Sequence, residues 1–206
     1  MSEDFDDFTL RAIEEETQRD LNRFYSQKMS LYDSAMRIFK KNISNLDLIY
    51  QMNQRVPEGS LLDAGTGTGE NLQYISQEYV VEACDINKDM LKEARNRYQD
   101  KKNITFTKAD LRHLPYPDQS FDAVVCSYAL SGSANYLKAF QELIRVTKKG
   151  GFIGVLDFLY YHEYPPGGFG GINLEGLIDR TSLPLVYQEQ AEASTLKVGL
   201  YVLKKE

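Results

Sequence analysis

From about residue 57 onward, short apolar runs alternate with amphipathic stretches, a pattern that predicts a parallel sheet with crossover helices. Strands are expected at about 60–64, 80–84, 104–107, 121–126 and 152–157, and helices at about 69–78, 88–99 and 134–147. In the last helix Leu137, Phe140, Leu143, Ile144 and Val146 cluster on one stripe, and Gly150-Gly151 is expected to stop it. Two further extended segments, 185–188 and 197–203, read as a pair joined by Glu189–Thr195. Ahead of the sheet, residues 8–56 read as two or three helices ending at Pro57-Glu58-Gly59. There is no internal repeat and no low-complexity segment.

Length and charge narrow the class. The chain of 206 residues is the size of one domain, expected to comprise an N-terminal helical cap (1–56) and a core (57–206). A net charge of −6 argues against affinity for phosphate backbones, so nucleic acid is not an expected partner. Cys84 and Cys126 fall inside expected strands and have no neighbours at metal-ligand spacing, which points to packing in a reducing cytoplasm and to no metal site. No run reaches the roughly 18 apolar residues of a membrane span, and Met1-Ser2-Glu3-Asp4 lacks a signal peptide's basic start. A soluble, cytoplasmic protein is expected. The lysine pairs 40–41, 101–102, 148–149 and 204–205 read as solvated chain ends or helix C-termini.

The candidate chemistry begins at Leu61-Leu62-Asp63-Ala64-Gly65-Thr66-Gly67-Thr68-Gly69, where an apolar strand ends in an acid and enters three glycines at alternate positions. Glycines at this spacing allow a sharp turn and let a ligand approach the main chain. A dinucleotide-binding turn starting at Gly65 requires a glycine at position 70, which is Glu70. A carboxylate there is a poor neighbour for a diphosphate, whereas Asp63 favours a cationic ligand.

Asp63-x-Gly65-x-Gly67-x-Gly69 resembles the first motif of the class I S-adenosylmethionine-dependent methyltransferases. Val80-Val81-Glu82-Ala83-Cys84-Asp85 resembles that family's second strand, and Ala109-Asp110-Leu111 the acid after its third. Leu114–Val125 is similar to the fourth-strand approach of the small-molecule branch that includes the ubiquinone/menaquinone-type enzymes, and Arg145–Gly151 to its helix-ending Lys-Pro-Gly-Gly turn, with Lys149 in place of proline. The resemblance covers roughly residues 43–160. It implies a Rossmann-like, doubly wound, seven-stranded α/β sheet, mostly parallel, with an antiparallel C-terminal strand pair and preceding helices. It also implies S-adenosylmethionine as cofactor and S-adenosylhomocysteine as product, held by Asp63, Gly65, Thr66, Gly67, Gly69, Asp85, Ile86, Met90, Asp110, Leu111 and Ser127. Asp85 would take the ribose hydroxyls, although Asp-Ile-Asn is also good helix-capping chemistry. Asp110 would take the adenine, although an acid after a strand is often a turn former.

The acceptor would lie outside the carboxyl ends of strands four and five, against Ser127–Gly132 and Phe158–Phe169. The second segment holds Tyr160, Tyr161, His162 and Tyr164, so His162 is the candidate base and the tyrosines a candidate cage, with Tyr128, Tyr25 and Tyr32 as further substrate contacts. Phe24, Tyr25, Met29 and Tyr32 stand at near-helical spacing and read as a lid or as an ordinary packing face. The expectation is methyl transfer to a small molecule, an amine nitrogen slightly ahead of the carbon or oxygen of a quinone-like or hydroxylated metabolite. A non-catalytic S-adenosylmethionine-binding protein is the alternative.

Overall fold

A computed structural model describes residues 11, 12, 14–23, 26, 27, 43–159, 172–193 and 196–206. After an N-terminal helical segment at 14–23 come α1 (Asn45–Asn53), β1 (Gly59–Ala64), β2 (Tyr79–Asp85), α2 (Lys88–Arg97), β3 (Ile104–Lys108) and β4 (Phe121–Ser127). Then follow α3 (Tyr136–Val146), β5 (Thr147–Leu159), α4 (Leu174–Asp179), β6 (Leu185–Ala193) and β7 (Leu196–Lys204). The strands form one seven-stranded sheet in the order β3-β2-β1-β4-β5-β7-β6. β1 to β5 are parallel, whereas β7 runs antiparallel to both β5 and β6. The expected doubly wound sheet with its antiparallel C-terminal pair is therefore present. Chain order reverses direction across the sheet between β1 and β4, which opens a crevice at their carboxyl ends.

Burial on both faces explains the apolar runs of the parallel strands. Leu62, Val124, Ile153 and Val155 join Phe140, Leu143 and Val146 of α3 in one core layer. Leu61, Val81, Val125 and Leu156 join Leu48, Ile49 and Met52 of α1 in the other. In α3 the inward stripe is Ala139, Phe140, Leu143 and Val146, while the expected Leu137 lies 43% exposed, one position off the buried face. The helix ends at Val146, earlier than its glycines suggested. Thr147 is already extended and its hydroxyl donates to the Leu143 carbonyl, while Lys205 Nζ donates to the carbonyls of Ile144 and Thr147. Lys148 belongs to β5 and pairs with Asp122, contrary to its reading as a solvated helix end.

The helix expected at 69–78 is replaced by a single 3₁₀ turn, Asn71–Gln73. Left-handed backbone at Gly65, Gly67 and Gly69 precedes it, and the Asn71 side chain is drawn back to Asp63. A regular helix would carry Asn71 away from that buried partner. α4 had no sequence signal strong enough to be expected; Asn173 caps it by accepting from the Gly176 N–H.

Two carboxylates sit fully buried among neutral partners, and both Asp63 and Asp157 are raised to about 6, chiefly by desolvation. A carboxyl with a higher pKa folded than unfolded favours folding while protonated, and this contribution is lost as pH rises from about 4 through 6. Asp122 is held down at about 2 by Lys148 and Ser60, despite some burial, so its stabilisation is present above about 4 and lost only in stronger acid. The fold should therefore be more stable at pH 5 than at pH 7.5 by about 1 kcal/mol for each raised carboxyl. Urea midpoints at the two pH values check this; a higher midpoint at pH 7.5 would contradict it.

Candidate functional site

A cleft opens at the carboxyl ends of β1, β2 and β4, where ligands bind in open α/β sheets. Its floor is the glycine turn. Gly65 and Gly67 adopt φ of 73° and 55°, and the Gly65 and Thr66 N–H groups both donate to the Cys84 carbonyl of β2. A Cβ on Gly67 would meet no atom within 4 Å, because this residue faces open cleft. A Cβ on Gly65 would stand 2.3 Å from that of Ala129, so the loop after β4 is pressed directly against the turn.

Asp85 ends β2 at the cleft wall, where its Oδ2 accepts from the Gly67 N–H and its Oδ1 from the Asn87 N–H, each at 2.8 Å. Burial raises its pKa, offset by these donors. The capping alternative is thus half right: Asn87 itself caps α2 by accepting from the N–H groups of Asp89 and Met90, and Asp85 braces Asn87. Ile86, Met90, Leu111, Asp110 and Ser127 also reach the wall.

Asp63 and Thr66 do not. Asp63 is fully buried beneath the turn, accepting from Thr66 Oγ1 and Asn71 Nδ2 at 2.6 Å each. Asn71 Oδ1 accepts in turn from Asn45 Nδ2 and Ser127 Oγ, which ties the turn to α1 and to the end of β4. Gly69 lies away from the cleft against Tyr98. Glu70 is likewise not a wall residue; its carboxylate pairs with Arg97, so the repulsion of a diphosphate expected from Glu70 has no geometric basis. The missing third glycine stands as the sequence departure from a dinucleotide turn.

Sequence reasoning offered the N-terminal helices as a lid or a packing face but missed the polar contacts that the segment at 14–23 makes with the cleft. Gln18 and Asn22 of the N-terminal helical segment line the cleft. Gln18 donates to the Gly132 carbonyl and accepts from the Ala134 N–H, and Asn87 donates to the Asn22 carbonyl and to Ser26 Oγ. Arg112 is 2% exposed and gathers Asp110, Glu14 and Glu15, with Nη2 at 2.7 Å from Asp110 and 3.1 Å from Glu15. This clamp holds Asp110 below its ordinary pKa even against burial. The lone sequence signal was the acidic run Glu14-Glu15-Glu16. Because Asp110 serves both clamp and cleft, Arg112→Ala should expose residues 14–23 to proteolysis and weaken ligand binding by about tenfold, within the ordinary range of coupling energies. A variant with unchanged cleavage and affinity would show the lid to be uncoupled.

Tyr128 lines the cleft in left-handed backbone (φ 55°), its ring 5.0 Å from Phe158 and its hydroxyl without a hydrogen-bond partner among the described residues. Tyr25, Tyr32, Tyr160, Tyr161, His162 and Tyr164 lie outside the described residues. His113 faces Lys138 at the surface. Among the described residues no cluster of His, Cys, Asp and Glu could hold a metal, and no helix is long and apolar enough to cross a membrane.

Residues 62–155, which include the turn, Asp85, Asp110 and the end of β4, match a family model described as a methyltransferase domain. This stretch is therefore similar to a methyltransferase domain. In its glycine turn and the acids at the end of β2 and after β3, it resembles the class I S-adenosylmethionine-dependent methyltransferases and their ubiquinone/menaquinone-type branch. The chain is 39% identical over 105 residues to a ubiquinone/menaquinone biosynthesis C-methyltransferase of Coxiella burnetii, covering 48% of this chain and 42% of that one. It is 39% identical over 97 residues to a demethylmenaquinone methyltransferase of Clavibacter sepedonicus, covering 47% and 39%. The chain thus spans less than half the length of these curated relatives. A SAM-dependent methyltransferase from Aquifex aeolicus shares the fold with a TM-score of 0.61 at 20% identity, covering 83% of this chain and 97% of that one.

Proposed function

We propose that the protein transfers the methyl group of S-adenosylmethionine to a small molecule, and that the acceptor atom is a carbon of an oxygen-substituted aromatic ring of the quinol kind. The observation that carries the cofactor assignment is the juxtaposition of Gly67, open to the cleft, with the Asp85 carboxylate beside it. In this reading Asp85 accepts from the ribose hydroxyls, with Ile86, Met90 and Leu111 against the adenine and Asp110 on its exocyclic amine. Gly65 and Ser127 hold the methionine end. Asp63 and Thr66 act from below, by fixing the turn and by supplying a negative charge for a cation.

Bound S-adenosylmethionine supplies a methyl group on a sulfonium, activated for in-line displacement. As the S–CH3 bond breaks and the C–CH3 bond forms, the ring carbon must lose its proton to a base or to solvent, so what remains for the chain is to align the acceptor, to exclude bulk water and to leave that proton a way out. The N-terminal helical segment at 14–23, part of the expected cap of 1–56 that precedes a core of 57–206, would exclude the water. Tyr128 and Ser133 line the wall, and their buried hydroxyls have no hydrogen-bond partner among the described residues; turned into the cleft, they would suit an acceptor bearing oxygens. The amine expectation rested on the tyrosine-rich loop at 158–169, of which 160–169 lie outside the described residues, and the relatives named above carry quinone-type names, so the reading moves to ring carbon. The two buried free cysteines suit a cytoplasmic setting, and the net charge of −6 opposes a nucleic-acid acceptor.

The test offers S-adenosylmethionine with a demethylated naphthoquinol, a benzoquinol or a panel of primary and secondary amines, and measures S-adenosylhomocysteine release. The quinols should give turnover. Turnover with amines alone would overturn the acceptor class, and binding without any turnover would favour a non-catalytic binder.

A further inference from the structure

Asp157 lies two residues before the end of β5, fully buried, and does not reach the cleft. Its Oδ2 accepts from the Ser131 N–H at 3.1 Å and its Oδ1 from the Phe158 N–H at 2.8 Å, with the Ser131 hydroxyl and the Leu130 N–H also turned toward it. Leu130 is itself fully buried, and the Ser133 N–H donates to its carbonyl, so Leu130–Ser133 form a tight turn seated on this carboxylate. The same loop supplies Tyr128, Ala129, Gly132 and Ser133 to the cleft wall.

No lysine or arginine among the described residues pairs with Asp157. The titratable groups of β4 and its loop that feel it are the Cys126 thiol and the Tyr128 phenol, both pushed upward by burial and therefore neutral. Opposite it on β7 stands Gly199, between Val198 and Leu200; α4 brings Glu175 to this layer, where its carboxylate accepts from the Tyr201 hydroxyl, and the buried side chains of α3 here are apolar. An ionised carboxylate here works against stability at neutral pH, since burial raises its pKa to about 6. An uncharged side chain would be cheaper to bury, so a pure packing role does not account for an acid at this position.

We propose that Asp157 is a positioning residue: by holding the Leu130–Ser131 turn from beneath, it sets Tyr128 and Ser133 on the acceptor side of the cleft. The loop is fixed from the other side by Gln18, which grips Gly132 and Ala134, and by Ala129 pressing on Gly65. Asp157 thus lies below a wall whose placement determines where an acceptor meets the methyl group. The proposal rests on the functional reading given above.

The test is Asp157→Asn, which keeps the shape and one acceptor oxygen. Four quantities are compared with the wild type at pH 7.5: urea midpoint, hydrogen exchange of the Leu130–Ser133 amides in the free protein, affinity for S-adenosylmethionine, and turnover of the naphthoquinol. The variant should be as stable as the wild type or more so, exchange these amides at least fivefold faster, and bind the cofactor within twofold, while kcat falls at least tenfold. Stability and turnover moving in opposite directions is what a merely structural residue would not produce. Unchanged exchange, or turnover falling only in step with stability, overturns the proposal. If the variant does not fold, Ser131→Ala, which removes one donor to the same carboxylate, must show the same pattern in smaller degree, and its absence overturns the proposal equally. A wild type that neither binds S-adenosylmethionine nor methylates the quinol sinks the functional reading, whereas exchange in the free protein still decides whether Asp157 holds the turn.

Discussion

A Gly67→Val variant is expected to remain folded and lose S-adenosylmethionine binding by at least about 100-fold. Two effects combine. At φ 55° a β-branched residue is strained by about 1–3 kcal/mol, and relief of that strain would withdraw the Gly67 N–H from Asp85. The new side chain also has nowhere to go but the cleft, since its Cβ meets no protein atom within 4 Å. Gly65→Val makes the contrast: its Cβ would stand 2.3 Å from that of Ala129, so that variant should lose stability as well as binding. Calorimetric titration together with a urea midpoint separates the two, and full affinity in Gly67→Val would mean that the ligand sits elsewhere.

The second large effect is expected from Asp85→Ala. The substitution leaves the N–H groups of Gly67 and Asn87 without their acceptor and takes the anion away from the ligand's hydroxyls. Affinity should fall by about 1–3 kcal/mol, the cost of unpaired buried groups, or roughly 5- to 150-fold. Asp85→Asn, which keeps one acceptor oxygen, should fall between the two. If a folded Asp85→Ala bound with wild-type affinity, Asp85 would be only a brace for Asn87.

The contrast between these residues and those that escaped notice has a physical basis. Asp85 was legible because it follows an apolar strand at a fixed distance from a glycine turn, and both signals are local. The strands and α3 were legible for the same reason, their periodicity being imposed by burial on two faces or on one stripe. Asn71 breaks the expected helix at 69–78 through a contact with Asp63, eight positions away in the chain but adjacent across the turn. Arg112 and Glu15 meet across 97 positions, and Gln18 and Ala134 across 116, distances over which no periodicity carries information. Asp157 looked like part of an apolar strand because six of its neighbours are apolar or glycine. Glu70 is the opposite error: the right position along the chain for a repulsive charge, but a side chain turned outward to Arg97.

The central claim is that the Gly65–Gly67 turn and Asp85 form an S-adenosylmethionine site. Titrating the wild-type protein with S-adenosylmethionine and, separately, with NAD tests it most directly, with Asp85→Ala as the control that locates the site. S-adenosylmethionine should bind at a single site and lose affinity in Asp85→Ala, and NAD should not bind. Binding of NAD in its place, or S-adenosylmethionine binding that Asp85→Ala leaves untouched, would contradict the account.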